Sequence, residues 1–221
     1  MNRLFIDADT ERELSIIERE ALDAEGNLKV LPSEFYRRFN QTSLSFFCLK
    51  HGLYGLPTFE LLDVINAKIM EASPSRNAIE IGSGNGALGK GLGITCTDSF
   101  LHDSPEIRSH YRRIGQPVTK YGTHLVHMDA LTAVKHYRPD VVVASWVTHL
   151  SIDNDNPTEG SPYGVDEEEM LGLVSRYILV GNLKPHGKKP LLKFPHETIR
   201  GDFLFSRSMS SDQCVLLIWD R

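Results

Sequence analysis

The chain has 221 residues, 41% hydrophobic and 24% charged, with a formal net charge of −5. This suits an ordinary globular protein of one domain with an appendage, or of two small ones, long enough to bury a substantial core. It argues against a polyanion-coated protein, and no apolar run approaches the roughly 18 residues of a membrane span.

The opening, Met1 to Thr10, turns acidic too early for a secretory signal. Cys48, Cys96 and Cys214 lack C-x-x-C spacing, so neither a disulfide framework nor a metal site is indicated. A cytoplasmic location is expected. Charge is uneven: residues 1–103 carry 10 Lys and Arg against 15 Asp and Glu. Further on, the bases gather at Arg108, Arg112 and Arg113 and at Lys184, Lys188, Lys189 and Lys193. Such clusters are usually solvated faces, with a local nucleic-acid patch as the less expected alternative.

Residues 1–9 read as a short strand or a frayed end. Thr10-Glu11-Arg12-Glu13 has capping-box spacing with Thr10 as N-cap, and Leu14, Ile17, Ala21 and Leu22 follow at helical intervals until Gly26. Pro32-Ser33-Glu34 opens a second helix through Phe39, and Leu44 to Leu49 forms a third apolar segment. An aromatic turn runs from His51 to Pro57; Phe46, Phe47 and Tyr54 around it read first as core residues. Thr58 is placed to cap a fourth helix with Leu61, Leu62, Ile65 and Ile69 buried, ended by Ser73-Pro74-Ser75. The expected organisation is a helical N-terminal extension over 1–75 and an α/β domain over 76–221.

Asn77 to Ile81 reads as a short buried strand with one carboxylate, Glu80, near its carboxyl end. Gly82, Gly84 and Gly86 follow at alternate positions, where a missing Cβ lets backbone turn tightly and approach a ligand. Gly86-Ala87-Leu88-Gly89-Lys90 opens a helix. Strand, glycine turn and helix N-terminus together make a nucleotide-sized cradle. The same segment fits G-x-G-x-x-A, so a dinucleotide site is a rival reading.

Ile94 to Asp98 reads as a second strand with an acid at its tip, suited to a ribose diol because a carboxylate accepts two hydroxyl hydrogen bonds. Ser104-Pro105-Glu106 starts a helix to about Arg113. Thr123 to Met128 is expected as a third strand, with Asp129 positioned to cap a helix from Ala130 to Tyr137. Val141 to Trp146 is a β-branched run of the kind buried on both faces of a parallel sheet. Residues 150–165 form a polar loop of the sort that serves as a lid. Its acidic run, Asp153 to Glu159, lacks calcium-loop spacing. Asp166 and Glu167 to Glu169 charge a helix start, and Tyr177 to Asn182 is a fifth strand. Asp202 to Met209 and Cys214 to Trp219 read as a terminal hairpin.

The segment E-I-G-S-G-N-G-A-L, Glu80 to Leu88, resembles the first motif of class I S-adenosylmethionine-dependent methyltransferases, and the resemblance extends over about 77–221. It implies a three-layer α/β sandwich with a seven-stranded, mostly parallel sheet ending in an antiparallel hairpin, preceded by a helical N-terminal extension. It implies S-adenosyl-L-methionine as cofactor, held by Glu80, Gly82, Ser83, Gly84, Gly86, Asp98, Ser99, Asp129, Ala130 and Ser145, with Asp129 and Ala130 at the adenine. The Asn/Asp-Pro-Pro-Tyr/Phe motif of amino-group nucleic-acid enzymes is missing at Ser145 to His149, and no Pro-Cys nucleophile is present.

His149, at the tip of the fourth strand, and His186, after the fifth, are the candidates for a general base, although among nine histidines structural roles are commoner. Tyr54, Trp146 and Tyr163 are placed to wall an acceptor pocket. The acceptor stays open among a small molecule, a protein and a nucleic acid, as does the oligomeric state. A binding-only module and a nicotinamide-dependent oxidoreductase are the other readings.

Overall fold

The computed structural model describes residues 7–151 and 160–221. The acidic run at 153–159, and the lid and calcium readings attached to it, lie outside the described residues.

Four helices come first: α1 (Ala8–Ala21), α2 (Ser33–Arg37), α3 (Gln41–His51) and, after the two-residue strand β1 (Gly55–Leu56), α4 (Phe59–Ala72). Then follow β2 (Ala78–Ile81), α5 (Ala87–Leu92), β3 (Thr95–Asp98), α6 (Pro105–Arg113), β4 (Val126–His127), α7 (Ala130–Tyr137) and β5 (Val141–Ser145). The chain ends with α8 (Glu167–Leu171), β6 (Arg176–Asn182), α9 (Leu183–His186), β7 (Glu197–Ile199), β8 (Phe205–Ser206) and β9 (Cys214–Asp220).

Seven strands form one sheet in the order β4-β3-β2-β5-β6-β9-β7. All run parallel except β9, which is antiparallel to both β6 and β7. After β4 the chain crosses back to pair β5 with β2, so the strand order reverses at the β2–β5 boundary. Open α/β sheets bind ligands at the carboxyl ends of strands at such a point.

Alternation along the strands feeds two separate cores. Ala78, Val141, Val143, Ile178, Leu216 and Ile218 face α4 and α5, meeting Leu61, Leu62, Ile65, Ile69, Leu88 and Leu92. Ile79, Ile81, Val142, Ala144, Leu179 and Leu217 face α7 and α8, with Val134, Met170 and the buried indole of Trp219. The result is the three-layer α/β sandwich with a mostly parallel seven-stranded sheet. A third core joins α1 and α3 through Leu14, Ile17, Leu44, Phe47 and Cys48, and touches the sheet domain at Ala87 and Phe205.

Three local expectations need correction. Helix α1 is capped by Asp7, whose side chain accepts from Thr10 N–H at 2.8 Å, so Thr10 lies inside the helix. The third strand is only Val126–His127. The terminal hairpin is made by β7 and β9; Phe205–Ser206 instead pairs with Gly55–Leu56 of the N-terminal region. That small second sheet is possible because Phe205 packs into the helical core, leaving its backbone to meet β1. Among the described residues no helix is long and apolar enough to cross a membrane.

Thr58 ties the N-terminal helices to this arrangement. Its buried Oγ1 accepts from Leu61 N–H at 3.1 Å, capping α4, and donates to the Phe203 carbonyl at 3.0 Å. Loss of a cap together with a part-buried carbonyl left without its partner costs about 2 kcal/mol. Thr58→Ala should lower unfolding stability by that amount in urea titrations, and Thr58→Ser should retain most of it.

Candidate active site

Strand β2 ends in a loop built for backbone contact. Gly82, Gly84 and Gly86 all take positive φ (55°, 57° and 74°). At Gly86 a Cβ would also strike His124 and Leu125 at 2.5 Å, so only glycine fits there.

Two buried acids brace this loop from beneath. Asp98, at the tip of β3, accepts from Gly84 N–H through Oδ2 at 2.8 Å and from Phe100 N–H through Oδ1 at 2.9 Å. Burial raises its pKa, while these two amides work against the rise. Each oxygen keeps one further acceptor position. Glu80, 1% exposed, accepts from Gly89 N–H at 3.0 Å. A Cβ at Gly89 would stand 2.5 Å from the Glu80 Oε2, so this glycine makes room for the carboxylate beside α5. Burial pushes the Glu80 carboxyl up to about 7.

A cavity of about 290 Å³ opens above these tips. Of the cofactor candidates, Glu80, Gly82, Ser83, Gly84, Asp98, Ser99 and Ser145 line it. Gly86, Asp129 and Ala130 do not: Gly86 faces His124 and Leu125, and the exposed Asp129 caps α7 by accepting from Thr132 N–H at 3.1 Å. Beside β4, Phe100 stacks on Tyr121 and on His127 with centroids 4.4 and 4.7 Å apart. Tyr54, Trp146 and Tyr163 line the cavity; Phe47 is fully buried in the helical core instead.

Neither histidine considered as a base is among the lining residues. His149 is buried beneath Gly160, paired through its backbone with Val165. His186 lies under Gly181, its Nδ1 accepting from Asn182 N–H at 3.0 Å and its ring edge-on to Trp146. Burial pushes its pKa down to about 3, so the ring is neutral. The lysine cluster is also dispersed. Lys189 is buried, donating to Glu167 at 2.7 Å and to the Val147 carbonyl at 2.8 Å, and Tyr177 donates to the same Glu167. Lys193 pairs with Glu168.

Sequence reasoning missed His102, Tyr111, Thr119 and Tyr121, all of which line the cavity. Thr119 brings the segment before β4 over the loop, donating its N–H to His102 Nδ1 at 3.0 Å and its hydroxyl to the Gly52 carbonyl at 3.3 Å. The density of Tyr and His between 100 and 127 was the available signal. Trp146 adopts φ 59° at the tip of β5. For a bulky residue this stores strain of the sort found at functional sites.

Sheet order, reversed final strand and glycine loop together define a doubly wound, Rossmann-like α/β domain. No family model matches the chain, and no curated protein matches it. Solved structures do resemble it. Magnesium protoporphyrin IX methyltransferase from Synechocystis, solved with bound SAM, is 13% identical with all of both chains covered and a TM-score of 0.39. Precorrin 8w decarboxylase from Methanobacterium thermoautotrophicum is 13% identical over 72% of this chain and 89% of its own, with a TM-score of 0.30. Mitomycin 7-O-methyltransferase is 12% identical over 96% and 67%, also at 0.30. The fold class rests on strand order and register rather than on these likenesses.

The raised pKa of Glu80 fixes the sign of a pH effect. A carboxyl that holds its proton to about 7 in the folded chain and to 4.5 in the unfolded one stabilises fully below pH 4.5. That contribution is lost as pH rises through 7. The loss is on the order of 3 kcal/mol, at about 1.4 kcal/mol per pH unit. Urea unfolding of Glu80→Gln should therefore show greater stability than the parent at pH 8, with the difference vanishing near pH 4.5.

Proposed function

We propose that the cavity binds S-adenosyl-L-methionine and that the chain transfers its methyl group to an acceptor held at the aromatic end. The single observation carrying this reading is Asp98. It stands at the tip of the strand next to the glycine loop, joined to Gly84 N–H, with both on one cavity wall. Its two remaining acceptor positions match the two hydroxyls of a ribose. The Gly82–Gly84 backbone offers close approach to the rest of the cofactor. Ser99 and Ser145, on neighbouring strand tips, add hydroxyls to the same wall. In this reading residues 1–75 are an extension that closes the acceptor end through Tyr54, and Gly86, Asp129 and Ala130 act by shaping the loop and α7.

S-adenosyl-L-methionine supplies an activated methyl group on a sulfonium. The chain's part is to hold the acceptor in line with it and to exclude water. Trp146 and Tyr54, with centroids 6.0 Å apart, are placed to do both.

Calorimetric titration with S-adenosyl-L-methionine should give micromolar affinity. Gly84→Val and Asp98→Ala should each weaken it at least 100-fold, about 3 kcal/mol, with circular dichroism checking that both variants fold. Unchanged binding in both would refute the site. Turnover to adenosylhomocysteine separates a transferase from a binding-only module, and a thermal shift with NAD(H) alone would favour the oxidoreductase.

A further inference from the structure

Rings make up much of the cavity wall. Trp146 faces Tyr54, Tyr54 and Tyr111 meet through their hydroxyls at 3.4 Å, and His102 packs on Tyr111 with centroids 4.4 Å apart. Tyr121 completes the wall. Flat faces on several sides favour a planar guest.

Several polar atoms on these rings are free to donate. Because His102 Nδ1 accepts from Thr119 N–H, the neutral ring carries its proton on Nε2. Burial lowers the pKa of His102 and so keeps the ring neutral. Tyr121 Oη accepts from the His102 backbone N–H at 3.0 Å, leaving its own hydroxyl hydrogen to give. The Tyr54–Tyr111 pair uses one hydroxyl hydrogen and keeps the other. Burial raises the pKa of Tyr111 and of Tyr121, so both stay protonated. Among the described residues no acceptor meets the Trp146 indole N–H. Behind Tyr54 and outside the lining residues, the Arg207 guanidinium sits 3.9 Å from the Tyr54 ring centroid, with no carboxylate paired to it among the described residues. Of the two acids of the cavity, Glu80 is bonded to Gly89 N–H, and Asp98, whose charge reaches His102 and Tyr121, is held by Gly84 and Phe100 N–H.

Resting on the methyl-transfer reading, we propose that this end receives the carboxylate of a planar aromatic acid and that the product is its methyl ester. A carboxylate oxygen forms the new O–CH3 bond as the S–CH3 bond breaks, and that bond's electron pair goes to sulfur. The carboxylate loses its negative charge and the sulfonium its positive one. No proton moves, so the step calls for donors that orient an oxyanion and for no general base. His149 and His186 standing outside the cavity accords with this chemistry.

The test uses the full chain saturated with adenosylhomocysteine. Benzoate, 4-hydroxybenzoate and indole-3-acetate are titrated in by calorimetry, with benzamide and benzylamine as neutral and cationic controls. At least one acid should bind saturably and at least tenfold more tightly than either control. With methyl-labelled S-adenosyl-L-methionine that acid should yield base-labile counts. Arg207→Gln and Tyr54→Phe should each weaken the acid about tenfold while adenosylhomocysteine affinity holds within twofold; having both variants guards against one failing to fold. Adenosylhomocysteine binding with no acid bound, or with benzamide or benzylamine preferred, overturns the proposal alone, as does a base-stable product. Failure of adenosylhomocysteine itself to bind overturns the methyl-transfer reading and this one with it.

Discussion

Everything at the site depends on β2 being held in parallel register between β5 and β3. Ala78 to Ile81 pair with Val141 to Ala144 on one side, and Ile79 and Glu80 with Thr95 and Cys96 on the other. With neighbours fixed on both edges, β2 can end only beside the tips of β3 and β5. The glycine loop, Asp98 and Ser145 therefore share one wall without any long-range contact being needed to gather them. Strands buried on both faces resist a register slip, because a slip of one residue would exchange the two cores.

The acids buried beneath this wall are held by backbone. Glu80 and Asp98 are stitched to the amides of Gly89, Gly84 and Phe100, so the loop's shape and the acids' positions are one object. On the other side of the β5 tip, Lys189 bonds both the Val147 carbonyl and Glu167. Breaking one partner of such a buried pair strands the other charge at a cost of several kcal/mol. The strained Trp146 lies one residue before Val147.

What could be read from the chain follows from how local each cause is. The β5 run was legible because consecutive Val residues suit a strand covered on both faces and little else. Thr58 was legible because a cap and its helix adjoin in sequence, and the glycine loop because positive φ selects glycine. Strand β4 is two residues long and half-exposed, so no alternation marks its ends. The pairing of Gly55 with Ser206 joins segments with no shared local pattern. At the site, His102, Tyr111 and Tyr121 are gathered by contacts distant in sequence, Thr119 bonding His102 and Gly52 and Tyr121 accepting from the His102 backbone N–H. Asp129 shows the reverse: its sequence position fitted two roles that do not exclude each other, and its carboxylate caps α7.

The cysteines carry a consequence of their own. Cys48 lies in the helical core and Cys96 in β3, both buried, and burial raises their thiol pKa, that of Cys96 to about 12. Neither presents a thiolate to solvent in the closed fold, and the thiolate is the reactive form. Alkylation at either sulfur therefore waits for its surroundings to part. Cys48 and Cys96 thus act as internal clocks, one timing the loosening of the N-terminal helices and the other the fraying of the sheet beside the loop.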